Sequence, residues 1–307
     1  MALLIISKLI LDLRFHSSTI LPYWIGSTFR GGFGQSLQRF LCSKMSMECE
    51  TCSQKEGCLF YYMYIRQKAT RGYAPPSRPV VIIPPFYGKP LEFEDGTLRI
   101  EILIFGKFIR FLPHILLGMQ LLGQQGIGSL RHYGLNTFRV ESAKCAFSGK
   151  TIAQRDTIFP ANIETRDVKD VPPYPGNYVK VGFKTPYTGP VFPKTPERLL
   201  WSIRRRLINI VNEYGDGSEV PEFKCAGETA SISTHFHLLE RRSTRSQKKL
   251  FKGITGVAEF KFSEIDQAGK WLLNVGFITG CGPDSSFGCG FLQDLTSRDK
   301  EQATQHC

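Results

Sequence analysis

The sequence predicts an α+β protein made of two tandem ferredoxin-like (RRM-like) domains. In the first half of the chain, the patterns follow the order strand, helix, strand, strand, helix, strand, which is that of a ferredoxin-like domain. A second, similar cycle begins near residue 178, without obvious sequence repetition of the first. The predicted N-terminal domain, linker, C-terminal domain and tail span residues 1–150, 151–177, 178–295 and 296–307, respectively.

The first domain opens with two clear periodic patterns. Residues 3–15 alternate between apolar and polar side chains, which predicts a half-buried strand. Pro22 suits a first helical turn, and an apolar stripe then recurs every four residues from Ile25 to Leu41. Each glycine within this helix weakens it by roughly 1 kcal/mol relative to alanine, so we expect another backbone to approach it closely. The other predicted elements are strands at 80–83, 98–105 and 131–140 and a helix at 108–122.

The second domain also contains segments with the periodicity of strands and segments with the periodicity of helices. A helix is predicted over 195–211, and a second one begins with a Ser263 cap, has Asp266 in its first turn and runs to about Leu273. The predicted strands are 178–184, 230–239, 253–262 and 275–278.

Charge and composition narrow the classes of function. The chain has 307 residues, a net charge of +12 and a hydrophobic fraction of 42%, which together predict a packed protein with a polyanionic partner, most often nucleic acid. A solubilising charge or attraction to an anionic membrane surface is the alternative. The apolar start at residues 2–6 is too short for a membrane span and lacks the order of a signal peptide, which predicts a cytoplasmic protein without a membrane partner.

A glycine-rich loop near the C-terminus is the first candidate for ligand contact. Glycines permit positive φ and close approach of a ligand, and successive amides can cradle phosphate oxygens, to which serine hydroxyls add donors. The alternative is a tight structural turn with Cys281, Phe287 and Cys289 packed inside. The loop lacks the lysine of nucleotide-hydrolase loops and the context of a dinucleotide fingerprint. Its candidate RNA-binding residues are Gly280, Gly282, Ser285, Ser286, Gly288 and Gly290.

Four of the nine cysteines form a cluster at residues 42–58 with the spacing C-x6-C-x2-C-x5-C. Four thiolates can close a tetrahedral structural zinc site without an open position for catalysis. An iron–sulfur cluster uses the same ligands, and four small buried side chains without a metal are the remaining alternative. The predicted ligands are Cys42, Cys49, Cys52 and Cys58.

A second basic candidate lies between the predicted strands at 230–239 and 253–262. Several arginines and lysines follow one another in this predicted loop, and Glu240 is the acidic residue among them. Such a concentration of positive charge predicts contact with phosphates. A basic surface exposed to solvent, without a ligand, is the common alternative. The predicted RNA-binding side chains here are Arg241, Arg242, Arg245, Lys248 and Lys249.

Taken in order, these motifs resemble a known family. The chain is similar to the CRISPR-associated endoribonucleases of the RAMP superfamily that process precursor CRISPR RNA. The C-terminal loop of that family reads glycine, hydrophobic, glycine, five residues, glycine, hydrophobic, glycine, and residues 280–290 fit if cysteine counts as hydrophobic. The segment from Phe29 to Gly34 and the cysteine cluster resemble one subgroup. The segment from Gly126 to Arg131 also falls in the expected order, and it makes Arg131 a further candidate for RNA binding.

The resemblance implies tandem ferredoxin-like domains, binding of CRISPR repeat RNA and metal-independent cleavage of the precursor into guide RNAs. In that reaction the ribose 2′-hydroxyl attacks the adjacent phosphate, and the chemistry needs a base, an acid and a cation for the developing charge. Other CRISPR effector subunits are the further implied partners. The alternative within the same superfamily is a catalytically inactive RNA-binding subunit of an effector complex.

The candidate catalytic residues are His16, Arg30 and His132. Many family members carry a catalytic histidine in or just after the first helix, but this chain has no histidine between residues 17 and 113. His16 lies just before that helix, Arg30 lies on it as the predicted phosphate clamp, and His132 follows the Gly126 turn. His235 and His237 share one face of a predicted strand. For each histidine, the alternative is an exposed side chain without a function or a hydrogen-bonded side chain of the core.

Overall fold

The computed structural model describes residues 2–42, 48–72, 75–243 and 246–296. Within these residues, seven strands form the first β-sheet, and a small pair, β2 with β4, lies apart from it. The elements up to residue 167 are β1 (Ile5–Phe15), β2 (Thr19–Leu21), α1 (Gly26–Leu41), β3 (Val80–Ile83), β4 (Leu91–Phe93), β5 (Gly96–Phe105), α2 (Leu112–Gln125), β6 (Phe138–Cys145), β7 (Thr151–Gln154), β8 (Thr157–Ile158) and β9 (Arg166–Asp167).

The second part of the chain forms its own four-stranded sheet within the described residues. Its elements are β10 (Tyr178–Tyr187), α3 (Pro196–Tyr214), β11 (Cys225–Ser243), β12 (Ser246–Ile265), α4 (Gln267–Thr279) and β13 (Leu292–Asp294).

The strand orders confirm the tandem ferredoxin-like fold. The first sheet has the antiparallel core order β3–β5–β1–β6, and the second has the order β11–β12–β10–β13. In both sheets the first and third strands of the unit are central and the second and fourth flank them, as in a ferredoxin-like domain. The first sheet also continues from β6 into β7 and β8, while β9 pairs with the start of β1.

The first sheet is buried on both faces. One face, which includes Leu11 and Ile102, packs with α1 and α2 into the core of the first domain. Side chains of the opposite face, among them Ile6 and Phe105, join the core that contains the buried side chains of α3 and α4. This double burial explains why every residue of β3 is buried, since a strand covered on both faces is apolar throughout rather than alternating.

Several predicted elements differ from the observed ones. The segment predicted as a linker contributes β7, β8 and β9 to the first sheet. The strand predicted over 131–140 is wrong for its first part, because Ser129–Tyr133 form a 3-10 turn and β6 begins only at Phe138. The prediction of the Ser263 cap is also wrong, since Asp266 caps α4 by accepting a 2.7 Å hydrogen bond from the Gly269 amide.

The predicted last strand, 275–278, is wrong as well. These residues are the final turns of α4, where Val275, Gly276 and Thr279 are buried. A short apolar run reads the same in a buried strand and a buried helix, so the pattern could not separate the two. The last strand is β13, after the glycine-rich loop.

An ion triad joins the two sheets. Glu101 on β5 forms a 2.7 Å ion pair with Lys8 on β1 and a second pair with Lys184 on β10. Burial raises the pKa of Glu101, but the two ammonium groups outweigh it and hold the pKa below its ordinary value of 4.5. The charged carboxylate therefore stabilises the contact between the sheets.

We expect Glu101→Gln to lower the free energy of unfolding by about 2 kcal/mol at pH 7, because it leaves two half-buried cations without their carboxylate. The folded-state pKa is depressed, so this stabilisation is present above pH 4.5 and is lost as the pH falls through the lowered value. Urea unfolding at pH 7 and below pH 4 should show the difference shrinking in acid. The exposed Glu94→Gln is the control, and an equal loss in both variants would contradict the assignment.

Candidate nucleic-acid interface

A cleft of about 1210 Å³ lies between the two domains. The first domain contributes residues 20–24, the exposed side of α1 and the turn at 128–132, and the second contributes Leu238, Glu240, Leu250 and Phe287. This size is sufficient for several nucleotides of single-stranded RNA, whose bases can stack on aromatic and guanidinium groups.

Arg30 connects the wall of the cleft to the glycine-rich loop. Its guanidinium carbon lies 4.9 Å from the centre of the Tyr64 ring and 4.5 Å from that of Phe287, and Nη2 donates to the Met63 carbonyl at 3.0 Å. The Tyr64 hydroxyl donates to the Arg30 carbonyl at 2.7 Å. The cation is thereby fixed in place at the cleft, as a phosphate clamp requires.

The turn at 128–132 forms a second part of the wall. Arg131 Nη1 donates to Gln35 Oε1 at 2.8 Å, which orients the guanidinium beside α1. His132 is exposed and also lines the cleft. The buried Asn136 holds the turn, because its side chain bonds both the amide and the carbonyl of Ile20 and also the carbonyl of Ile127.

The structure brings two of the three predicted catalytic residues together. Arg30 and His132 line the same cleft, whereas His16 is exposed just after β1 and is not part of the cleft wall. The charged side chains of the wall, within the described residues, are Arg30, Arg131 and Glu240. The catalytic roles of these residues stay predictions.

The glycine-rich loop is largely buried between the domains. Its four glycines all have positive φ, between 74° and 80°, as predicted for the motif. However, the amides of Gly280, Cys281, Phe287, Gly288 and Gly290 donate to carbonyls of the protein. Five donors are thus engaged in holding the loop itself, and the loop residue that lines the cleft is Phe287.

The predicted loop ligands differ in their accessibility. Gly282 and Ser286 are partly exposed, whereas Gly280, Ser285, Gly288 and Gly290 are buried. Arg206 of α3 holds Ser285 in place, because the Arg206 Nη1 donates a hydrogen bond to the Ser285 hydroxyl. The Nε of Arg206 donates to the Thr279 carbonyl at 2.6 Å. Burial lowers the pKa of Arg206 to about 10. Sequence reasoning missed this buried cation, although Arg206 was visible in a run of three arginines.

The first helix meets this loop without room for a side chain. An ideal Cβ on Gly26 would lie 2.2 Å from the Phe287 carbonyl oxygen, which is the close backbone approach predicted for the glycines of this helix. Gly31 on the same helix has open space instead and lines the cleft. Gly26 therefore allows the close contact between α1 and the loop of the second domain, and Gly31 leaves open space beside α1 in the cleft.

The basic stretch falls on the hairpin of β11 and β12 rather than on a long loop. The strands pair Leu238 with Lys252 and Glu240 with Leu250, next to the cleft. Residues 244 and 245 and the side chains of 241–249 lie outside the described residues. The predictions for Arg241, Arg242, Arg245, Lys248 and Lys249 are therefore not tested by the structure.

The cysteine cluster follows α1. Cys42, Cys49, Cys52 and Cys58 are all partly buried, and Cys49 and Cys58 pack against the core of the first domain. Across the described part of the chain, no group of three or more histidine, cysteine or acidic side chains is gathered closely enough to hold a metal ion. The zinc or iron–sulfur site therefore stays a prediction from the spacing of the four cysteines.

A helix able to cross a membrane is not found anywhere in the described ranges, since none combines the required length and apolar character.

Comparison with known proteins identifies the family. The model of the AF_1859 N-terminal domain matches residues 4–173, and that of the AF_1859 C-terminal domain matches residues 179–294. This chain therefore belongs to the AF_1859 family. A relative from Archaeoglobus fulgidus, described as an uncharacterized protein, is 37% identical over 276 residues, which cover 89% of this chain and 92% of the relative.

Solved structures with the same fold include Cas6 proteins. A Thermus thermophilus Cas6 aligns with a TM-score of 0.52 at 14% identity, covering 95% of this chain and 99% of the other. A Cas6 product complex aligns with a TM-score of 0.51 at 15% identity, covering 95% and 100%. The fold that the resemblance implies is thus confirmed, while the four-cysteine subgroup stays a prediction.

We expect Gly26→Ala and Gly31→Ala to change stability in opposite directions. The new Cβ at residue 26 meets a backbone carbonyl, so overpacking should lower the free energy of unfolding by roughly 1–3 kcal/mol. At residue 31 the Cβ enters open space, and the helix should gain roughly 0.5–1 kcal/mol. Urea unfolding of both variants measures this. Equal effects of the two substitutions would show that the contact between α1 and the loop is not close.

Proposed function

We propose that this protein binds CRISPR repeat RNA in the cleft between its domains and cleaves precursor CRISPR RNA into guide RNAs without a catalytic metal. The observation that carries the proposal is the cleft itself, whose wall includes the two held cations Arg30 and Arg131 and the imidazole of His132. The net charge of +12 and the fold shared with Cas6 proteins support a polyanionic RNA ligand.

The proposed chemistry is attack of a ribose 2′-hydroxyl on the adjacent phosphorus. The P–O5′ bond breaks, and the products are a 2′,3′-cyclic phosphate and a 5′-hydroxyl. Arg30 would face the phosphate, where its fixed guanidinium can stabilise the developing charge. The basic stretch of the β11–β12 hairpin, which continues from Glu240 at the cleft, would contact phosphates further along the RNA.

A second candidate function is that of an inactive RNA-binding subunit. The exposure of His16 away from the cleft favours it, because the histidine nearest to the first helix does not line the proposed site. A solved complex titled partial Cas6-RT-Cas1--Cas2 contains a chain with this fold at a TM-score of 0.55 and 12% identity, although this chain covers only 46% of it. Other CRISPR proteins are therefore proposed partners in either case.

Repeat RNA incubated with the protein in EDTA should be cut once per repeat and leave a cyclic phosphate end, because the attacking group belongs to the RNA. A single 2′-deoxyribose at the cut position should abolish cutting and preserve binding. Gel analysis of end-labelled RNA measures both. Retarded but intact RNA would favour the inactive subunit, and cutting only with divalent metal would contradict the proposed chemistry.

Arg131→Gln should weaken RNA binding by roughly 1–2 kcal/mol, since a charged hydrogen bond to phosphate is lost. The slope of log affinity against log salt should flatten by about 0.7, the value for one contact with single-stranded RNA. Arg139→Gln is the matched control, because Arg139 lies on β6 and pairs with Glu141 at 2.6 Å. Fluorescence anisotropy at several salt concentrations measures the slope, and equal slopes for the two variants would contradict a role of Arg131 at the phosphate.

A further inference from the structure

A short chain of hydrogen bonds crosses from the first domain to the second at the edge of the cleft. The hydroxyl of Tyr23, just before α1, lies 2.5 Å from Nδ1 of His237 on β11. Nε2 of the same imidazole lies 2.6 Å from the hydroxyl of Thr255 on β12. The three side chains therefore form a continuous path for a proton from the cleft into the second domain.

The surroundings fix the orientation of both rings. The Phe86 ring packs edge-on against Tyr23 at 5.5 Å between centroids and against His237 at 4.8 Å. Tyr23 lines the cleft with Arg30, while His237 is half-buried behind it. A hydroxyl group at a cleft that is hydrogen-bonded to an oriented imidazole is the arrangement found in activated nucleophiles and general bases.

The geometry points to a proton relay in which Tyr23 is a catalytic residue and His237 the positioning residue that accepts its proton; this rests on the proposed cleavage of RNA. When Nε2–H donates to Thr255, the Nδ1 lone pair faces the Tyr23 hydroxyl. The proton of the RNA 2′-hydroxyl passes to Tyr23 Oη as the Tyr23 proton passes to Nδ1. The O2′–P bond forms, the P–O5′ bond breaks, and the O5′ atom takes a proton from water. The imidazolium then returns its proton to water through the same path.

The electrostatics of His237 suit this role. Burial, with a smaller contribution from His235 on the same strand, lowers the pKa of His237 below its ordinary value of 6.5. Burial also raises the pKa of Tyr23 above 10, so its hydroxyl keeps the proton that it must transfer. The neighbours from the other elements, Thr255 on β12 and Phe86 after β3, are neutral. At neutral pH the imidazole is therefore uncharged and able to accept a proton.

The test is single-turnover cleavage of end-labelled repeat RNA by the full-length protein, with RNA binding measured alongside by anisotropy. Tyr23→Phe, which keeps the ring, and His237→Ala should each cut at least 100-fold more slowly and bind RNA within a factor of two of the wild type. His235→Ala is the matched control, since this exposed histidine is two residues away on the same strand, and it should cut at the wild-type rate.

Two further readouts separate proton transfer from structural support. Added imidazole should restore part of the activity of His237→Ala, and the wild-type rate should rise with pH through a value below 6.5 and then level, a limb that the variant lacks. Wild-type rates in both variants, with the wild type active, would overturn the relay and leave the proposed function standing. A wild-type protein that binds the RNA but does not cut it would overturn the cleavage function and the relay with it.

Discussion

Burial of the first β-sheet on both faces is the constraint on which the rest of the structure depends. One face is covered by α1 and α2, and the other shares a core with the second domain. A sheet covered in this way cannot leave its partner domain without exposing residues such as Ile6 and Phe105 to water. The two domains are consequently held in one relative arrangement, and the cleft between them has walls of defined shape rather than a flexible gap.

The glycine-rich loop belongs to the same constraint. Its positive-φ glycines allow a compact turn whose amides bond to protein carbonyls, while Gly26 lets the first helix approach the Phe287 carbonyl. Arg206 donates hydrogen bonds that hold the loop, and the ring of Phe287, which belongs to the loop, packs against the Arg30 guanidinium. The motif that suggests phosphate binding therefore also positions the cation and aromatic ring of the cleft. Contact of the loop with RNA would be made by its partly exposed residues, Gly282 and Ser286.

The cleft and the side chains directly behind it combine groups whose chemistry differs by their burial. Arg30 is fixed between two rings, which suits stabilisation of charge, whereas the half-buried imidazole of His237 has a lowered pKa and suits acceptance of a proton. The exposed His132 lines the cleft from the first domain. In the proposed attack of a 2′-hydroxyl, the nucleophile, the phosphate and the leaving group would all belong to the RNA, and the protein would supply the cation and the proton acceptor. The proposed function therefore assigns stabilisation of charge to Arg30 and acceptance of a proton to His237.

The sequence by itself determined the elements with long, regular periods. The alternation in β1 and the four-residue stripe of α1 specify which side chains face the core, so the ferredoxin-like order and the place of Arg30 on a helix were predictable. It did not determine whether residues 275–278 are strand or helix, because a short buried apolar run fits both. Only the tertiary structure joined Tyr23 to His237, residues 214 positions apart, and placed His16 outside the cleft. Local periodicity reports which face of an element is buried, whereas the meeting of distant side chains depends on how whole domains pack.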